Sequence, residues 1–161
     1  MNLKKLFDIQ KLLDQRIIDE HQLQEVDLLP PKLLALQVEL GELANETRCF
    51  KYWSRKKPSP KQTILEEYVD CLHFILSVGL EKGIENIQLT IEESSLTLVE
   101  EFKKVIQKTT EIERDQDEEV YRGLFSSFIL LGNKLGFFWE EIVDAYLKKN
   151  EINHKRQEEG Y

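Results

Sequence analysis

A chain of 161 residues with 41% hydrophobic and 32% charged residues has the balance of one globular domain, long enough to bury a substantial core. Its formal net charge of −8 argues against general binding to a nucleic-acid backbone, which needs a basic surface to displace counterions, and no apolar run approaches the ~18 residues of a membrane span. Charges interrupt the apolar pattern of residues 1–15, so no signal-peptide core is present; a cytoplasmic protein is expected, with Cys49 and Cys71 as buried free thiols because they lack Cys-x-x-Cys spacing.

Helical periodicity begins at once: Leu3, Leu6, Ile9 or Gln10, Leu13 and Ile17 recur every three or four residues. "LLPPK" (28–32) breaks the chain, and its prolines suit the first turn of a second helix expected to run to about Tyr52. "SRKKPSPK" (54–61) reads as a basic, proline-punctuated loop. A third helix is expected from about Lys61 to Glu81, closed by Gly83. Thr90 and Glu93 have the spacing of a capping box that would open a fourth, and the acidic "EIERDQDEE" (111–119) reads as a solvated connection. A fifth helix runs through Leu135 and stops at Gly136, and a sixth starts near Phe138 and enters the polar tail "KKNEINHKRQEEGY". No segment reads as a strand. The expectation is an all-α bundle of about six helices in a single domain spanning 1–161.

"ELGELANE" (39–46) places Glu39, Glu42 and Glu46 within ~60° of one another on a helix, beside the apolar arc of Leu36, Leu40 and Leu43. On the next helix Glu67 and Asp70 bracket the direction of Phe74, also on the apolar side, whereas Glu66 and His73 point elsewhere. Two such pairs aimed at one interior would repel and protonate unless a cation sat among them. Carboxylate oxygens with little histidine or thiol favour Mg²⁺, with Mn²⁺ as a substitute. Gly41 inside this helix costs ~1 kcal/mol relative to alanine, tolerable where another backbone or a ligand approaches. Trp53, if the helix persists, projects within ~60° of Glu39 and could stack on a flat ring, although a core position suits it equally. Near the C-terminus Lys149, Asn153 and Arg156 share one helical face, either a phosphate clamp or a frayed helix end whose cations complement its dipole.

"ELGELANETRCFKYWS" followed by "EEYVDCLHFILSVGL" resembles the dimeric all-α dUTPases of the MazG-like nucleoside triphosphate pyrophosphohydrolase superfamily, of bacterial or bacteriophage type. Glu39, Glu42, Glu67 and Asp70 match the superfamily pattern Glu-x-x-Glu, gap, Glu-x-x-Asp, and the tail matches the dUTPase branch through Lys149, Asn150, Asn153, Arg156, Gln157, Gly160 and Tyr161. The resemblance implies a homodimer that splits dUTP, and dUDP with it, to dUMP. It implies that Glu39, Glu42, Glu67 and Asp70 hold the metal, that Glu39 is the general base with Glu42 the other candidate, and that Lys149, Asn153, Arg156 and Tyr161 hold phosphates. It further implies that Gln10, Asp14 and Trp53 read the base, although the family's second polar position is more familiar as an amide than as aspartate. Residues 84–130 match no motif and are expected to be a variable helical segment.

Three other readings compete. A sister pyrophosphohydrolase acting on dCTP or a modified nucleotide would share the acidic core; a non-enzymatic helical module, for instance one that binds a repressor if the chain is phage-encoded, would bind no metal. A di-iron protein using "DCLH" (70–73) and "EINH" (151–154) fits poorly, because His73 lies off the Glu67–Asp70 face and His154 sits in a polar tail.

Overall fold

The computed structural model describes residues 1–115 and 117–160. Six helices follow in order: α1 (Leu3–His21), α2 (Leu29–Thr47), α3 (Lys61–Glu81), α4 (Leu98–Arg114), α5 (Glu118–Lys134) and α6 (Trp139–Glu158), with no strand among the described residues. The expected all-α architecture is therefore present. No helix is long and apolar enough to cross a membrane. Three of the starts have a plain local cause: Asn2 caps α1, Pro30 and Pro31 occupy the first turn of α2, and Asp117 accepts from the Glu119 amide at the head of α5.

α3 is the axle of the bundle and packs against α1, α2, α5 and α6. Its interior run Tyr68, Val69, Cys71, Leu72, Ile75 and Leu76 is fully or almost fully removed from solvent. Two tyrosines lock α3 to α5 in a reciprocal arrangement. Tyr68 of α3 donates to the Phe128 carbonyl (3.0 Å), and its hydroxyl lies where a side chain on Gly132 would begin, 2.5 Å from an added Cβ. Tyr121 of α5 donates to the Ile75 carbonyl (2.9 Å) and lies 2.4 Å from an added Cβ on Gly79. In both cases glycine follows the accepting carbonyl by one turn, leaving space for the incoming ring.

Several boundaries differ from those expected. α2 ends at Thr47, not near Tyr52, because Arg48 takes a left-handed conformation (φ 58°) and its amide caps Ala44 and Asn45. Arg48 then holds the following loop through Ser54 Oγ (2.6 Å) and the Lys56 carbonyl (3.3 Å). Phe50, beyond that break, is 41% exposed. The expected capping box at Thr90 and Glu93 opens nothing: residues 84–97 are irregular, and the working box is Thr97 with Glu100. Both have the same Thr-x-x-Glu spacing. Only the second precedes a stripe that can be buried, formed by Phe102, Val105, Thr109 and Ile112, while Ser94 and Ser95 interrupt the first. The acidic connection is also shorter than expected, since residues 111–114 complete α4 and bury Ile112. Cys71 is buried as expected, whereas Cys49 is only half-buried.

Candidate active site

α2 and α3 lie along each other and bring Glu39 opposite Glu67 and Asp70. One oxygen from each of these carboxylates lies within 4.8 Å of the others, and all three are half-buried. Burial, then the charges of Asp70, Glu42 and Glu67, push the Glu39 carboxyl up to about 7. Burial likewise raises Glu67 and Asp70, against the opposing charge of Lys149. Glu42 stays exposed, outside this tight set, yet its charge is felt by all three. Glu46 is engaged elsewhere: Ser59 donates to its carboxylate and to its carbonyl, fastening the loop after α2.

The chemistry of this donor set fits a hard divalent cation. It consists of oxygens that destabilise one another, and the nearby Cys71 thiol is pushed well up by burial and by the same three acids, so it offers no thiolate. No imidazole joins the set among the described residues. His154, required by the di-iron alternative, instead lies 3.4 Å from Arg16 on α1.

Positive charge arrives from α6. Lys149 Nζ donates to Asp70 Oδ2 at 2.6 Å, and Arg156 also lowers the Asp70 carboxyl. Asn153 and Arg156 line the same cleft, so the three face-sharing residues of the tail meet in one cleft with Glu39 and Asp70. The end of α6 is not frayed: His154 and Gln157 meet Arg16 and His21 of α1. Tyr161 lies outside the described residues.

From this charged end a cleft of about 440 Å³ runs along α3 past Asp70, His73, Phe74 and Ser77, about 10 Å at 1.5 Å per residue. Its far walls are apolar, with Leu13, Ile17, Leu28 and Pro31 among them. Gln10 and Asp14 do line it, one turn apart on α1. Gln10 Nε2 donates to Asp14 Oδ1 (2.7 Å), while Gln10 Oε1 accepts from Tyr146 (2.8 Å) and lies 2.7 Å from His73 Nδ1. That contact makes Nδ1 the protonated ring nitrogen of the neutral ring and leaves Nε2 buried, with no hydrogen bond in standard geometry among the described residues. Burial and the Lys149 charge hold His73 down to about 3, so the ring is neutral.

His73 stays off the Glu67–Asp70 face, as expected from the helical wheel, and instead lines the cleft that Asp70 borders. Trp53 departs from its expected place. Because α2 ends early, Trp53 sits in the following loop, 65% exposed and outside the cleft, in edge contact with Phe50 and Tyr52.

Two cleft residues were not singled out from the sequence. Lys32 pairs with Asp14 (3.1 Å) and Glu81 (2.5 Å), and Ser77 donates to Asp14. Each had a signal: a lysine in the first turn of α2 opposes the helix dipole, and a lone hydroxyl interrupts the apolar "FILSVGL". A family model described as dUTPase matches residues 2–161 of the chain. No curated protein matches it.

Proposed function

The chain belongs to the dUTPase family and is a dUTP diphosphatase, and from that premise we propose how the cleft divides the work: triphosphate at the carboxylate and α6 end, uracil at the apolar end. The observation that carries this is that one cleft joins Glu39, Asp70, Lys149 and Arg156 at one end to an apolar chamber with polar tips at the other. Such chambers orient a ligand by a few polar groups set in apolar walls.

Glu39, Glu67 and Asp70 would hold Mg²⁺, or Mn²⁺ in its place, with Glu42 at the exposed rim. Bound there, the ion would supply charge neutralisation of the phosphate oxygens. Glu39 is the base that accepts the proton of the attacking water on a carboxylate oxygen: burial among like charges gives it basicity near neutral pH, where general bases are most effective. Lys149, Asn153 and Arg156, on one face of α6, grip the phosphates, with arginine able to form a two-pronged contact. Gln10 and Asp14 face the base.

The whole chain acts as one catalytic domain in the cytoplasm, and as a homodimer. Support for the dimer comes from α2, whose outer face leaves Leu34 and Val38 62% and 51% exposed one turn apart. Gly41 continues that side, and an added Cβ there meets nothing within 4 Å of its own chain. Trp53, also exposed, reaches a uracil only by movement of its loop or across such a dimer.

Attack at the β phosphorus would make dUDP a substrate too. Hydrolysis in ¹⁸O-labelled water tests this. Label in pyrophosphate, with dUDP yielding labelled phosphate, supports the reading; label in dUMP, with dUDP inert, overturns it.

A further inference from the structure

We propose that Lys32 selects uracil over cytosine, acting with Asp14 as a donor and acceptor pair at the apolar end of the cleft. This rests on the placement of the base argued above. Both side chains are strongly buried, at 14% and 11% exposure, in a wall otherwise made by Leu13, Ile17 and Leu28. A buried ion pair is a poor device for stability, because desolvation offsets most of the attraction. In a cleft wall it is a good device for reading polarity.

Counting donors and acceptors shows what is left for a ligand. The Lys32 ammonium has three N–H groups and uses one on Asp14 and one on Glu81, so one remains. Among the described residues Asp14 Oδ1 accepts only from Gln10, while Oδ2 accepts from Lys32 and Ser77, so an acceptor site remains on Oδ1. The pair therefore offers one donor and one acceptor side by side. Uracil presents the complement, a carbonyl oxygen next to N3–H. Cytosine presents the reverse, an amino group next to a bare N3, which would set N–H against ammonium and lone pair against carboxylate. A site whose buried polar groups are left unpaired by the wrong ligand discriminates far more strongly than an apolar pocket does.

The rival explanation is that Lys32 only fastens α2 to α1 and α3. Lys32→Gln separates the two, because an amide keeps two N–H groups for Asp14 and Glu81 and has none to spare. With Mg²⁺ present, the ratio of kcat/KM for dUTP to that for dCTP should fall at least about tenfold in Lys32→Gln, mostly through KM for dUTP. An equal loss on both nucleotides would show a purely structural role and overturn the proposal. Should the variant not fold, the unaltered enzyme still decides: comparable kcat/KM on dUTP and dCTP contradicts a selective pair. Ile17→Trp, which fills the apolar end, keeps the underlying placement separately testable. If it abolishes turnover while Lys32→Gln leaves the ratio unchanged, only the Lys32 inference fails; if dUTP turnover survives it, the placement of the base fails, and this inference with it.

Discussion

Lys149 of α6 reaches across to Asp70 of α3 at 2.6 Å, so the last helix delivers a cation to the flank of three mutually repelling carboxylates. The ion pair ties the Lys149, Asn153 and Arg156 face of α6 to the acidic face of α3. It also neutralises only part of the charge there, since Glu39 and Glu67 remain raised.

Glu39→Gln should therefore separate stability from activity. Removing one charge from the cluster relieves repulsion, so the metal-free variant should melt above the metal-free wild type, while turnover of dUTP falls by at least about a thousandfold. Thermal unfolding in EDTA and steady-state kinetics in Mg²⁺ check the two halves. Glu42→Gln should also lose turnover with the fold intact, through the rim position of Glu42.

Stability should depend on pH with two opposed contributions. Glu39 is raised from 4.5 to about 7, so the stability it contributes is fully present below 4.5 and is lost as pH rises through about 7; Glu67 and Asp70 act in the same direction. His73 is lowered from 6.5 to about 3, so its contribution is present above 6.5 and lost as pH falls towards 3. Between 4.5 and 6.5 the two oppose. With three raised carboxylates against one lowered imidazole, the melting temperature in EDTA should fall as pH rises from 4.5 to about 7 and change little beyond. Adding Mg²⁺ should raise it most at high pH, where the carboxylates are ionised. A uniform effect of Mg²⁺ from pH 5 to 8 would contradict the acidic cluster as its site.

The tyrosine and glycine locks should govern global stability. Gly132→Ala and Gly79→Ala each set a methyl group within 2.5 Å of a tyrosine hydroxyl already fixed by a carbonyl, and overpacking of this kind costs about 1–3 kcal/mol. Tyr121→Phe, which loses one hydrogen bond without adding bulk, should cost about 1 kcal/mol. Urea denaturation reads both.

Trp53→Ala should leave the unfolding free energy within about 0.5 kcal/mol, because the ring is 65% exposed and its ring contacts are with Phe50 and Tyr52 of its own loop. The fluorescence change on adding a non-hydrolysable dUTP analogue should disappear with it, although Trp139 remains. Persistence of the change would remove Trp53 from the base site.

The six-helix plan was legible because buried stripes, prolines at the head of α2 and left-handed glycines at 83 and 136 all work locally. The carboxylate pairs and the Lys149 face were legible for the same reason, each being a spacing on one helix. What could not be read depended on neighbours. Arg48 ends α2 by a left-handed turn that glycine or asparagine would have advertised, and that displaced Trp53. Two identical capping spacings, at Thr90 and Thr97, differ only in what the following residues can bury. Lys32 and Ser77 gain their meaning from Asp14, 18 and 63 residues away in sequence.

The most direct test of the account is pyrophosphate release from dUTP, dCTP, dTTP and UTP, each measured with Mg²⁺ and with excess EDTA. Release from dUTP that requires Mg²⁺ and far exceeds release from the other three is the predicted result. Undiminished release from dUTP in EDTA, or equal release from dUTP and dCTP, would contradict it.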